Sequence, residues 1–437
     1  MGEGFAVSKR RRSWWRYLLV TLCVAVGSSV LVACGGSDDS GGGDTGAATS
    51  EATGEEGSGG TETAADTAES SDEPIVIGAA IGESGWLEAT DVPAKVMEEF
   101  AIEDINAEGG VLGRPLKLIT ADTASEQAQG STAALEVIEQ GAEMVIVSCD
   151  FDYGSPAALV AQESDKIAFS TCAGSPKFGV QGIGPNAYTM SNGTPALAGV
   201  LAEFGYEEKG FRNAYMLLDD TIDYDKTLCA GLEEVWPKLG GKIVGRDTYK
   251  NEDASIASQI SRLKSTPDVD VIFQCTYNPG GAQALRQLRN AGVDTPVIGS
   301  ESQDGDYWLN AVPNLSDFYY QTYGSMFGDD PRPQFNQLVT RYTKKVGEPP
   351  AQALGFTGYS VIEMYAAAVE KAGTTETAAV REALDEMEDV PLLVGPTTFT
   401  PDTHISLHRP MVIMEVQNGK HDYVETRTPK VISKVEY

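Results

Sequence analysis

An α/β protein of two doubly wound, Rossmann-like lobes joined by a three-strand hinge is what the sequence predicts. Three observations carry that prediction. From Pro74 onward apolar strands alternate with helical patterns almost without interruption, the mark of a parallel sheet. The alternation occurs as two successive series of similar length. Between and after them come short apolar segments, Tyr188–Ser191 and Phe318–Tyr323, placed to cross from one series to the other.

The first series opens with Ile75–Ile81, apolar throughout, as in a strand buried on both faces. The loop Gly82-Glu83-Ser84-Gly85-Trp86 follows. Asp91 reads as the cap of the next helix and Pro93 as a first-turn residue. Val96, Met97, Phe100, Ala101 and Ile105 repeat at helical spacing, and Gly109-Gly110 ends the run. Strand Leu116–Thr120, a helix through Leu135 and Ile138, strand Met144–Val147, a helix near Pro156–Glu163 and strand Ile167–Thr171 complete four units.

The second series starts at strand Ala214–Leu218. It continues with a helix through Leu228, Leu232 and Trp236, strand Lys242–Tyr249 and a helix around Ile256–Leu263. A β-α-β unit spans Asp268–Ser302. There the strand Val269–Phe273 leads into a loop carrying Tyr277 and Asn278. A helix bearing Leu285 and Leu288 follows, and a strand opened by Pro296 ends in Glu301. Both loops of this unit leave the carboxyl ends of strands, where open α/β sheets bind ligands. Helices at Phe335–Lys345, Ala353–Lys371 and Ala378–Met387 come next. Strand Met411–Val416, the turn Asn418-Gly419 and Tyr423-Val424 close the chain as a hairpin. The expected lobes are 74–189 with 325–396, and 190–324 with 397–437. The cleft between them is the expected ligand site.

The first 73 residues read differently. Lys9, Arg10, Arg11, Arg12 and Arg16 precede the apolar run from Tyr17 to Ala33, and Cys34 follows. This stretch resembles the signal peptide and lipobox of bacterial lipoproteins. The resemblance implies cleavage after residue 33 and lipidation of Cys34; an uncleaved membrane span is the alternative. Residues 35–73 hold eleven carboxylates and no Lys or Arg. They read as a flexible, self-repelling tether, residues 34–73 in all. The formal charge of the whole chain is −32, which argues against nucleic acid as a partner.

Cys23 falls in the leader and Cys34 in the anchor, leaving Cys149, Cys172, Cys229 and Cys275. Four cysteines allow three pairings in an oxidising compartment. Cys149–Cys172 with Cys229–Cys275 keeps each bridge within one lobe. Four buried thiols are the alternative. The histidines, His404, His408 and His421, lie near the end without a metal-ligand cluster. Gly179–Gly184 is glycine-rich but opens no clear strand-to-helix turn. Ser300 and Ser302 sit in no nucleophile elbow. Neither an enzyme nor a cofactor or metal protein is indicated.

Several motifs resemble a known family. Residues 103–116, EDINAEGGVLGRPL, the turn Asp219-Asp220 with Tyr224, the helix Leu285–Gly292 (LRQLRNAG), and Phe399-Thr400 through Lys420 occur at compatible spacing. They are similar to type I periplasmic solute-binding proteins, in particular the leucine/isoleucine/valine-binding group of ABC transporters. The resemblance implies an extracytoplasmic, lipid-anchored monomer. It would hand a small polar ligand, an amino acid or a relative of one, to ABC permease and ATPase subunits. It implies ligand contacts from Ser84, Gly85, Trp86, Asp150, Phe151, Ala173, Gly174 and Ser175 on the first lobe. Tyr224, Tyr277 and Glu301 would face them, with Glu301 accepting from an ammonium and Tyr323 bordering the cleft. Three departures bear on the ligand. The first loop reads SGWLEATD, Asp150-Phe151-Asp152 stands where small residues are usual, and Asp225 follows Tyr224 where the family has Gly. If Asp150 faces the cleft it repels a carboxylate, which favours a cationic, amide or polyol ligand. Amides, urea and aromatic acids are further possibilities, and a sensing module acting on a membrane kinase or cyclase is the alternative role.

Overall fold

The structure, a computed structural model, describes residues 73–434. The leader, the lipidation site Cys34 and nearly all of the tether lie outside the described residues.

The first half forms a five-stranded, wholly parallel sheet in the order β2-β1-β3-β4-β5. Its elements in chain order are β1 (Ile75–Ile81), α1 (Glu88–Ala107), β2 (Leu116–Asp122), α2 (Gln127–Glu139), β3 (Met144–Val147), α3 (Phe151–Glu163), β4 (Ile167–Ser170) and β5 (Ala187–Thr189). The β1, β3 and β4 strands are buried almost throughout, and apolar but for Ser170 at the end of β4, because helices cover both faces.

A second sheet follows. Its parallel part comprises β6 (Asn213–Asp219), β7 (Lys242–Tyr249), β8 (Val271–Cys275), β9 (Val297–Ile298) and β10 (Phe318–Thr322). The helices between are α4 (Thr194–Glu203), which enters this half, then α5 (Asp223–Lys238), α6 (Ala257–Ser265) and α7 (Gly280–Asn290). The chain then returns to the first half as α8 (Pro333–Val346), α9 (Phe356–Ala372) and α10 (Thr377–Asp385), with α9 packed along α1. A small hairpin, β11 (Val390–Leu392) and β12 (Gly395–Thr397), leads back. The antiparallel strands β13 (Met411–Gln417) and β14 (Lys420–Arg427) extend the second sheet to the order β14-β13-β10-β9-β8-β6-β7.

Three passages link the halves, after β5, after β10 and before β13. They are knitted together by buried polar groups. Asn192 N donates to the Tyr323 hydroxyl (2.9 Å). Asn192 also bridges to Ser406. Arg409, 1% exposed, donates to Met190 O (2.6 Å), Asn192 Oδ1 (3.1 Å) and Thr397 Oγ1 (2.8 Å). No described carboxylate pairs with this guanidinium, and burial pulls its pKa down to about 10.

Four expectations need correction. Helix α1 begins at Glu88, so Asp91 lies inside it rather than capping it. Its buried carboxylate turns outward to accept from Gly82 N (2.8 Å) and Cys149 N (3.1 Å), stitching the ends of β1 and β3. Residues 187–189 form a fifth strand of the first sheet, so the crossing comes after them. Glu301 ends no strand; β9 stops at Ile298 and Glu301 starts a 3-10 turn. The segment Ala353–Lys371 is divided into a 3-10 turn, Ala353–Gly355, and α9. One helix was not legible at all: α4 is buried at every position, so it has no polar face to give a period.

Candidate functional site

In each sheet the strand order reverses direction at one place, between β1 and β3 in the first and between β6 and β8 in the second. At such a point adjacent loops diverge to opposite faces and leave a crevice at the carboxyl edge. The two crevices face each other. Between them lies a cavity enclosing about 570 Å³ of space not filled by protein atoms, part of it continuous with solvent. Trp86 after β1 and Asp150 after β3 line it from one side. Tyr224 after β6, Tyr277 and Asn278 after β8, and Glu301 after β9 line it from the other.

Asp150 is the N-cap of α3 and accepts from Asp152 N through Oδ1 (2.9 Å). Burial, reinforced by the neighbouring Asp152 carboxylate, raises its pKa to about 7. Glu301 is 2% exposed and accepts from Gln321 Nε2 (2.7 Å). Burial lifts its pKa to about 7, against the opposing pull of Tyr224 and Gln321. The Tyr224 hydroxyl lies beside Glu301, yet no protein group meets it with hydrogen-bond geometry. Behind it Asp225 is fully buried with neither carboxylate oxygen hydrogen-bonded, and burial drives its pKa well up. The aromatic wall is continuous. The Trp86 ring centroid stands 5.0 Å from that of Tyr277 and 5.1 Å from that of Tyr153.

Gly174 permits the halves to approach. A Cβ there would lie 2.9 Å from Tyr224 Cε2 across the cleft. Beside it a polar latch joins the halves. Asp152 Oδ2 accepts from Asp223 N at the start of α5 (2.8 Å). Asp223 in turn accepts from Ser175 Oγ and from Lys177 Nζ (2.6 Å). On the opposite side Asp304 accepts from Ala353 N (2.8 Å), and Gln352 Nε2 donates to the Tyr307 hydroxyl (2.9 Å).

Of the residues singled out from sequence, Trp86, Asp150, Gly174, Tyr224, Tyr277 and Glu301 meet at the cavity. Six others do not line it. Ser84 donates to Asp122 Oδ2 (2.7 Å) near the surface. Gly85 turns against Ser125. Phe151 and Ala173 pack into an alanine-rich core beneath. Ser175 belongs to the latch. Tyr323 is committed to the hinge, where Ser191 Oγ also lies 3.1 Å from its hydroxyl. Sequence reading missed Asn278, Tyr307 and Gln352 as lining residues, and Asp223 and Arg409 as connectors. Tyr307 and Gln352 sit in irregular segments with no periodic signal. Asp223 was visible only as one acid among several.

The cysteines pair as Cys149–Cys172, joining the ends of β3 and β4, and as Cys229–Cys275, joining α5 to β8. Their Cα separations of 4.6 and 5.7 Å suit a disulfide. The first bridge lies in the cavity wall. No cluster of metal-ligating side chains occurs among the described residues.

Two facing switch-point crevices with an acid-and-aromatic cavity between them are the geometry of a binding protein. A family model described as periplasmic binding protein matches residues 74–421. The chain belongs to that family. Periplasmic binding proteins of this kind are extracytoplasmic and bind small solutes for transporters without enzymatic turnover. Among curated relatives, a Leu/Ile/Val-binding protein homologue of Brucella melitensis is 25% identical over 336 residues, covering 76% of this chain and 89% of its own. Among solved structures, the branched-chain amino acid transporter substrate-binding protein LivJ of Streptococcus pneumoniae, in complex with isoleucine, superposes with a TM-score of 0.72. It is 20% identical and covers 82% of this chain and 100% of its own. An ABC transporter substrate-binding protein of Desulfitobacterium hafniense in complex with Leu gives 0.68 at 21% identity, covering 80% and 100%. At these identities the structures establish the shared fold. No helix among the described residues is long and apolar enough to cross a membrane.

Proposed function

We propose that this chain is the solute-binding lipoprotein of an ABC importer, anchored outside the cell membrane through lipid on Cys34. It captures a small polar ligand bearing a cationic nitrogen in the cavity between the lobes. The observation that carries the reading is Glu301 with Tyr224: a buried carboxylate and an unpartnered buried hydroxyl side by side at a switch point. A ligand ammonium donates to Glu301, and the Tyr224 hydroxyl serves a second ligand atom. Trp86 and Tyr277 cover the ligand's body. The ligand touches both lobes, so it stabilises the state in which the Asp152–Asp223–Lys177 latch is made, a shift of population toward closure. The closed monomer is then what permease and ATPase subunits recognise.

The test is a thermal-shift screen of amino acids, amines and amides, since a binder raises the melting temperature, followed by calorimetry on Glu301→Ala. Loss of measurable binding is expected. Unchanged affinity overturns the assignment. Mass spectrometry of the mature N-terminus tests the anchor: diacylated Cys34 is expected, and a chain still beginning at residue 1 contradicts it.

A further inference from the structure

We propose that the cleft selects a small organic cation that carries no carboxylate, held between Asp150 of the first lobe and Glu301 of the second and walled by Trp86, Tyr224 and Tyr277. This rests on the reading of the cavity as the solute site and narrows the class of solute.

The first ground is charge. The residues lining the cavity include two buried carboxylates, Asp150 and Glu301, and no Lys, Arg or His. The buried Asp225 stands just behind the wall, its proton held mainly by burial and further by the nearby carboxylates of Asp150 and Glu301, so it offers an anion no counter-charge either. A carboxylate placed here meets like charge in a poorly solvated space with no counter-charge. A cation meets carboxylates on two sides and the faces of aromatic rings, which attract positive charge.

The second ground is where the backbone donors go. A ligand carboxylate can be held without a cation by amides at helix N-termini. Four helices begin at this cleft, and each has at least one amide at its start engaged within the protein. At α1, Leu87 N donates to Ser125 Oγ (3.0 Å). At α3, Asp152 N donates to Asp150 itself. At α5, Asp223 N donates to Asp152 (2.8 Å). At α7, Gly280 N and Ala282 N donate to the side chains of Asn251 (3.1 Å) and Asn278 (3.0 Å). The anion-binding end of α3 is thus occupied by a protein carboxylate.

The third ground is the hydroxyls. Thr90 Oγ1 donates to Gln352 (3.1 Å), and Ser302 Oγ is spent on Thr276 O (2.5 Å). The Tyr224 hydroxyl and the Asn278 amide nitrogen are the buried donors left without partners at the cavity. They suit a neutral oxygen of the ligand.

Matched pairs test this on the whole protein. Calorimetry compares 3-methylbutylamine with leucine, and choline with glycine betaine; the members of each pair differ in little but the carboxylate. At least one carboxylate-free member should bind, at least tenfold tighter than its partner. Asp150→Ser keeps a capping hydroxyl for α3 and removes the charge; it should lower that preference at least tenfold, and Asp150→Asn should do so too. Leucine or betaine binding as tightly as its partner, with binding lost in Glu301→Gln, overturns the selectivity and leaves the site assignment standing. Binding that survives both Glu301→Gln and Asp150→Ser overturns the site itself. Silence from all four compounds, in calorimetry and in melting temperature, overturns the selectivity proposed here.

Discussion

Glu301 and Asp150 hold their protons more tightly in the fold than in the unfolded chain, each to about 7 and mainly because of burial. The stability this confers is complete below about pH 4 and disappears as the pH rises through 7, on the order of 3 kcal/mol per group. The ligand-free protein is therefore expected to melt at lower temperature at pH 8 than at pH 6. The double variant Asp150→Asn with Glu301→Gln should flatten that slope, as scanning calorimetry would register; an undiminished slope counts against the two groups as its source. A cationic ligand competes with the same protons. Its Kd should fall between pH 6 and 8, with proton release near pH 7 visible as a binding enthalpy that depends on the buffer. Glu301 was legible from its place at the close of the Asp268–Ser302 unit together with the family resemblance, and Asp150 as an acid where small residues are usual. The family resemblance implies Ser84 and Ser175 as ligand contacts, but sequence does not say which loop oxygen points inward. Neighbours settle that: Asp122 takes Ser84, and Asp223 takes Ser175.

Among the elements, the strands were the most legible, since a strand buried on both faces is apolar along its whole length; β1 and β3 fall at the expected bounds, and so does β7, a part-exposed edge strand. Helix ends were less so. Asp91 followed by Pro93 imitates a helix start, but the carboxylate serves Gly82 and Cys149 instead. The disulfide pairing followed from keeping each bridge within one lobe. Cys229–Cys275 closes a sequence separation of 46 residues, and on chain entropy alone a loop of that length is worth about 4 kcal/mol. Replacing both cysteines by alanine should lower guanidinium-unfolding stability by a few kcal/mol; a change below ~1 kcal/mol contradicts that. The hinge passages depend on Arg409, which no sequence signal marked. Arg409→Met leaves the carbonyl of Met190 and the side chains of Asn192 and Thr397 without their donor. It should cost about 2–4 kcal/mol, measured as a lower urea midpoint, and an unchanged midpoint would show the guanidinium to be dispensable.

At the scale of the molecule, ionised Asp150 and Glu301 oppose closure of the lobes over an empty cleft, and a bound cation removes that opposition. The latch supplies the remaining bias. Asp223→Ala removes the partner of Ser175 and Lys177 without touching the cavity lining. The Lys177–Asp223 ion pair is part-exposed, so its worth is about 0.5–1 kcal/mol. Ligand affinity should weaken two- to fivefold, mostly through faster dissociation in stopped-flow traces; an unaltered rate would show that the latch does not contribute to closure. Two lobes and a cleft were readable from the order of strands and helices. The acids of the cleft were readable too, but not the rise in their pKa values, because that arises from burial that only the packing of both lobes creates. The most direct measurement is a crystal structure with the tightest ligand from the thermal-shift screen. A cationic nitrogen within hydrogen-bond reach of Glu301 or Asp150, with both lobes in contact with the ligand, is the predicted result. A ligand bound outside this cavity, or one with a carboxylate lodged against Asp150, would contradict it.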